Sequence, residues 1–300
     1  MLAARFHEYG DPDVLVVEEA AEPHATTNSV RIAVQAVSVN PIDYLLRSGA
    51  LREVFPLALP AIPGRDAVGV IDELGEGVSN ASVGDLVFGL GGVSDTTAEF
   101  AVLTAWSSVP SDWSTEHAAA AGLASATAVG VINALGDLTG RTLLIEGASG
   151  AVGSAAAAFA LAAGARVIGT ARPANHQYLL DRGIVATTYG PGLPERVSAL
   201  APEGVYAALH AAPSASLQDL VTIVGNTSRV VTVIDREGAA RLGVRNVDAV
   251  NDSALLERAA DLGRRGLYTP RVDHALPLAS IRKAHELAES GAGKIVVTLT

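Results

Sequence analysis

The sequence predicts an α/β protein of two domains, one a doubly wound parallel sheet and the other rich in short β-strands. Three observations lead there. Between residues 142 and 234 strand-like runs alternate with helical stretches, the pattern of βαβ units on a parallel sheet. Before residue 110 the chain instead shows short β-branched runs punctuated by Gly, Pro, Asn and Asp. The length of 300 residues, 49% of them hydrophobic, is enough for roughly two cores.

In the first part, strands are expected at 14–17, 30–39, 67–74, 85–88 and 99–103. An Ala-rich helix follows over 114–135, with Ser114 as N-cap and Glu116 in the first turn. Strands at 142–146, 166–170, 205–209 and 230–234 then frame helices at 151–163 and around 175–182. After Asn251 come helices at 253–264 and 281–290 and a closing strand at 294–299, a tail expected to return to the first domain. The domains are therefore placed at 1–115 with 252–300, and at 116–251.

The strongest local motif is LLIEGASGAVG at 143–153, a strand running into a Gly-rich turn and a helix. Gly147 and Gly150 allow a tight turn and close backbone approach to a diphosphate, and Gly153 allows the helix to pack on the strand. Ser149, Ala151 and Val152 complete the loop and the helix N-terminus, whose free N–H groups and partial positive charge suit an anion. The spacing is GxxGxxG, a variant of the usual dinucleotide fingerprint; by itself it also describes any strand-to-helix turn that needs small residues. The next strand ends without the Asp or Glu that would bond a ribose 2′-hydroxyl, and continues into Arg172 and Asn175. An acid there would repel a 2′-phosphate, whereas Arg172 can pair with it, so NADPH is expected rather than NADH.

Several function classes are excluded. A net charge of -11 with no basic run gives no footprint for nucleic acid. Apolar stretches such as 155–163 are interrupted short of the roughly 20 residues of a membrane span, and no secretory signal is expected at the N-terminus, which points to the cytoplasm. With no Cys there is no thiolate catalysis and no Cys-ligated zinc. His7, His24, His117, His176, His210, His274 and His285 are scattered without HxH or HxxxH spacing, so no metal is expected. Ser149 stands in GASG and not in a GxSxG nucleophile elbow.

The segments VNPIDYLLRSG (39–49), IPGRDAVGV (62–70), VGDLVFG (83–89), the Gly-rich turn and GKIVV (293–297) resemble, in order and spacing, the quinone oxidoreductase branch of the medium-chain dehydrogenase/reductase superfamily, which includes zeta-crystallin and many enoyl reductases. The resemblance covers nearly the whole chain. It implies a Rossmann domain joined to a GroES-like catalytic domain. Zinc-bearing members carry a Cys near Asn40 and Gly-His-Glu after the Pro around position 63; here Gly64 is followed by Arg65 and Asp66. Without a metal to polarise an alcohol, the likeness implies reduction of quinones or conjugated enones, whose developing charge is delocalised.

The resemblance further implies Asn40 and Tyr44 on the catalytic wall of an inter-domain cleft, with Tyr44 bonding a carbonyl oxygen or supplying a proton; Tyr44 also reads as a packing residue, and Asp43 and Arg47 as a structural pair. It implies cofactor contacts from Thr127, Tyr189, Val233 and Lys294, each of which also has an ordinary packing or surface reading. The loop beginning at His210 departs from relatives that carry Asp and Gly there. A small-molecule substrate and a homodimer through the 242–250 edge of the nucleotide domain are implied by the likeness alone. A tailoring reductase acting on a polyketide-like enoyl intermediate, or a nucleotide-binding protein with little turnover, are the alternatives.

Overall fold

The computed structural model describes residues 1–214 and 216–299. In chain order the elements are β1 (Leu2–Phe6), β2 (Leu15–Glu19), β3 (Val30–Val39), α1 (Pro41–Arg47), β4 (Asp66–Leu74), β5 (Leu86–Leu90), β6 (Phe100–Leu103), β7 (Ala105–Ser108) and α2 (Thr115–Leu135). Next come β8 (Thr142–Glu146), α3 (Ala151–Ala162), β9 (Arg166–Thr170), α4 (His176–Leu180), β10 (Val185–Thr187), α5 (Leu193–Leu200), β11 (Ala207–His210), α6 (Leu217–Val224), β12 (Val230–Thr232), α7 (Arg236–Leu242) and β13 (Arg245–Asn246). Last are α8 (Ser253–Arg264), β14 (His274–Pro277), α9 (Ile281–Glu289) and β15 (Ile295–Thr298).

The chain divides into two compact units, Met1–Leu123 with Asn251–Thr300, and Ala124–Val250. The sequence reading set the first junction at 115/116; here it falls inside α2, because one continuous helix crosses it and no loop marks the change. By length and composition α2 also qualifies as a membrane span, contrary to the expectation that no apolar stretch is long enough. The helix accommodates Gly122 and Gly130 without breaking, and 78% of its most apolar stretch is buried within the protein, as in a core helix.

In the first unit a β1–β2 hairpin accompanies a sheet ordered β14-β15-β3-β4-β5-β7, with β6 also pairing β3. Burial in β3 alternates over Val30, Ile32 and Val34, so one face of the strand enters the core, and both faces are covered from Ala36 onward. The core joins Ile32, Val34, Val87 and Leu103 to Ile295 and Val297 of the C-terminal strand. That strand pairs antiparallel with β3, Ile295 opposite Val39.

In the second unit six strands lie parallel in the order β10-β9-β8-β11-β12-β13, which counted from β8 is 3-2-1-4-5-6. The order reverses between β8 and β11, and in open sheets of this kind ligands bind in the crevice outside the carboxyl ends of the strands at that point. Leu144, Ile168, Ala208, Val230, Leu217 and Leu220 form its buried centre.

Candidate functional site

In the second unit, β8 runs into a turn whose glycines are required by contact. Gly147 has φ +80°, a region costly for a side chain, and a Cβ there would lie 2.8 Å from the Ala212 Cβ. A Cβ at Gly153 would stand 2.2 Å from the Gly147 carbonyl oxygen, so α3 rests directly on the turn. At Gly150 a Cβ would meet only that carbonyl oxygen, at 3.3 Å; the volume a side chain would otherwise fill lies open beside the helix N-terminus. Gly150 is the N-cap of α3 and no side chain caps the helix, leaving the amides of Ala151, Val152 and Gly153 without intrahelical acceptors. Open space, free donors and a helix dipole of the right sign fit a dinucleotide diphosphate.

The neighbouring loops are tied to this turn. The Gly147 amide donates to the Thr170 Oγ1 at 3.3 Å, and the Ala148 amide to the Thr170 carbonyl at 3.1 Å. Asn175 Nδ2 donates to Ser149 Oγ at 3.3 Å, which brings the segment after β9, including exposed Arg172, beside the Gly-rich turn. Tyr189 stands just beyond β10, 49% exposed, in a loop whose carbonyls at Thr188, Tyr189 and Gly190 converge on the Arg196 guanidinium. Val233 follows β12 and its amide bonds the His210 carbonyl at 3.2 Å. Thr127 is buried in α2.

In the first unit, Asn40 N-caps α1, with Pro41 at the first helical position and the Asn40 amide donating to Asp43 Oδ2 at 2.7 Å. The side-chain amide of Asn40 is oriented by its partners: Nδ2 donates to Asp66 Oδ1 at 3.1 Å, while Oδ1 accepts from Lys294 Nζ at 2.6 Å. Asp66 accepts also from Ser38 Oγ at 2.6 Å and from the Leu123 amide at 3.0 Å. The positions of Asn40 and Asp66 hold an amide and a carboxylate that gather a lysine ammonium.

Burial pushes the Asp43 carboxyl up to about 7, against the opposing hydrogen bond from Asn40. Burial lowers Lys294, while Asp66 and Asp43 act the other way. The Tyr44 phenol is raised by its own half-burial and then by Glu289 and Asp43, so it stays protonated at neutral pH and can donate a hydrogen bond. Asn40 caps α1 and Tyr44 stands four residues on, within it. The expected Asp43–Arg47 pair is corrected: buried Arg47 bonds Glu289 of α9, because Asp43 turns back to the N-terminus it caps. Sequence reasoning singled out Asn40 and Lys294 but gave Asp66 no role beyond a missing zinc ligand, and Ser38 none. Ser38 and Asp66 lie in stretches of β3 and β4 that are buried on both faces, where alternation marks no inward side.

The alcohol dehydrogenase GroES-like domain family matches residues 26–110. Quinone oxidoreductase of Sus scrofa is 38% identical over 176 residues, 57% of this chain and 53% of that protein, so in this alignment the chain spans about half the relative's length. Quinone oxidoreductase of Homo sapiens is 27% identical over 328 residues, covering 100% of this chain and 98% of the human one. The structure of the quinone oxidoreductase from Coxiella burnetii has a TM-score of 0.82 at 25% identity over 100% of this chain and 99% of that one. A GroES-like unit completed by the C-terminal strand, with a Rossmann sheet between its two segments, is the architecture of a medium-chain dehydrogenase/reductase. Within that class the chain is similar to quinone oxidoreductases along its whole length.

Proposed function

We propose that this chain is an NADPH-dependent oxidoreductase that reduces a quinone or an α,β-unsaturated carbonyl compound without a metal. The observation that carries the reading is the Gly147–Gly153 turn with Asn175 bonded to it and Arg172, in place of an acid, after the adjoining strand. The cofactor, when bound, supplies the hydride.

The chain's own residues supply binding and orientation. The Ala151, Val152 and Gly153 amides would hold the diphosphate, with Gly147 and Gly150 leaving it room and Ser149 beside it, and Arg172 and Asn175 would hold the 2′-phosphate. Asn40, oriented by Asp66 and Lys294, and the protonated Tyr44 are hydrogen-bonding groups for a substrate oxygen as negative charge develops on it. No Cys is present for thiolate chemistry, and the acceptor's conjugation replaces the polarisation a metal would give an alcohol. The same reading includes a cytoplasmic homodimer joined at the sheet edge formed by β13.

The test mixes purified protein with NADPH, and separately NADH, and follows absorbance of the reduced nicotinamide against quinones, enones, enals and secondary alcohols. Turnover of quinones or enones is expected, with NADPH favoured, and Arg172→Ala is expected to reduce that preference at least tenfold, about 1.4 kcal/mol. Failure to bind either nicotinamide refutes the proposal; binding without turnover on any acceptor refutes its catalytic part.

A further inference from the structure

At the point where the strand order reverses, the last residues of the two flanking strands are both ionisable and both buried. Glu146 closes β8, His210 closes β11, they are register partners, and each is 0% exposed. Neither belongs to the Gly-rich turn or to the Asn40 cluster.

The hydrogen bonds around them have one consistent direction. Thr232 Oγ1, at the end of β12, accepts the amides of Ile234 at 3.3 Å and Asp235 at 3.1 Å. Its own proton is therefore left for His210 Nδ1, 2.9 Å away, and His210 is the neutral tautomer with hydrogen on Nε2. Burial lowers the His210 pKa in the same sense. Nε2 faces Ser214 Oγ at 3.4 Å and Glu146 Oε2 at 3.8 Å. Ser214 donates to Glu146 Oε1 at 2.7 Å and Ser216 to Oε2, so both carboxylate oxygens accept from hydroxyls, whose own oxygens lie 2.7 Å apart. With His210 neutral, Glu146 has no cationic partner in this chain of bonds. A single negative charge sits at the floor of the crevice, held by neutral dipoles.

Resting on the NADPH reading above, we infer that Glu146 is a positioned charge that makes the bound cofactor a stronger hydride donor by favouring its oxidised form. The diphosphate and the 2′-phosphate carry the same charge in NADP+ and NADPH, so any repulsion from Glu146 cancels between them. Only the nicotinamide ring differs, cationic when oxidised and neutral when reduced. A fixed anion in a buried, water-poor place therefore selects the oxidised state. His210, Ser214, Ser216 and Thr232 are positioning residues that hold the carboxylate in place.

The experiment titrates the full chain with NADP+ and with NADPH by calorimetry, no acceptor being present. Glu146→Gln keeps the shape and a carbonyl acceptor but removes the charge. Removing the charge is expected to weaken NADP+ about tenfold relative to NADPH. For a two-electron couple this raises the bound potential by about 30 mV. Ser214→Lys, on the partly exposed loop, neutralises the same charge with a cation and is expected to move the ratio the same way, which keeps the test decisive if Glu146→Gln does not fold. His210→Gln, which leaves the carboxylate, is expected to change both affinities together. An unchanged NADP+ to NADPH ratio in the charge-neutralised variants overturns the inference while leaving the cofactor reading intact. Absence of binding of either form to the unaltered protein overturns both.

Discussion

Replacing Asp43 by Asn turns a buried ionisable group into a fixed amide, and its effect on stability follows from the structure with a definite sign. The carboxyl is fully enclosed, its Oδ2 receives the Asn40 amide, and Oδ1 has no partner. Burial raises it from 3.8 to about 7. Between those values the folded chain holds a proton that the unfolded chain has released, so folding stability falls as pH rises through this window, and the loss is complete above about 7. At about 1.4 kcal/mol per pH unit, the span amounts to about 4 kcal/mol at most. Asp43→Asn does not titrate and its carbonyl oxygen can still accept from Asn40. The variant is expected to match the unaltered protein near pH 4 and to exceed it progressively up to pH 8, read as urea midpoints at intervals across that range. A stability difference that does not change with pH would refute the reasoning, and would mean that Lys294 compensates the Asp43 charge in full.

Gly153→Ala is expected to raise the NADPH dissociation constant at least a hundredfold in calorimetric titration while thermal unfolding stays cooperative, since a Cβ 2.2 Å from the Gly147 carbonyl oxygen displaces the turn itself; unchanged affinity would show that the turn does not hold the diphosphate. Tyr44→Phe is expected to lower kcat on an enone by roughly tenfold to a hundredfold with NADPH affinity unaltered, the signature of a hydrogen bond to developing charge. Equal turnover would reduce Tyr44 to a packing residue.

Legibility in the sequence followed the strength of local pattern. The expected strands at 142–146 and 166–170 coincide with β8 and β9, and the helix at 253–264 with α8, because each carries an uninterrupted apolar run or clean amphipathic spacing with a cap. Strand β10 spans only Val185–Thr187 and β13 only Arg245–Asn246, too short for any period to register; their positions are dictated by the sheet beside them. Helix α1, seven residues long, is too short for its period to register, although Asn40, Pro41 and Asp43 spell a capping box with Pro at the first position. At the site, the Gly-rich turn could be read because its chemistry is contiguous. The Asn40–Lys294 and Glu146–His210 pairs could not, since each joins residues on separate strands or loops and depends on register that only the folded sheet defines. A glutamate ending a strand reads as solvated until the strand is known to be central.

The pairing of β15 with β3 also has a consequence for the order in which the protein is made. Residues 124–250 are continuous and can close their parallel sheet as they leave the ribosome, while β3 must wait for a strand synthesised more than 250 residues later. The hydrogen bond from Lys294 to Asn40 arrives with that last strand. A nascent or truncated chain would then possess a nucleotide-holding half well before the amide at Asn40 is oriented, so an incomplete product would hold cofactor without a finished place for substrate.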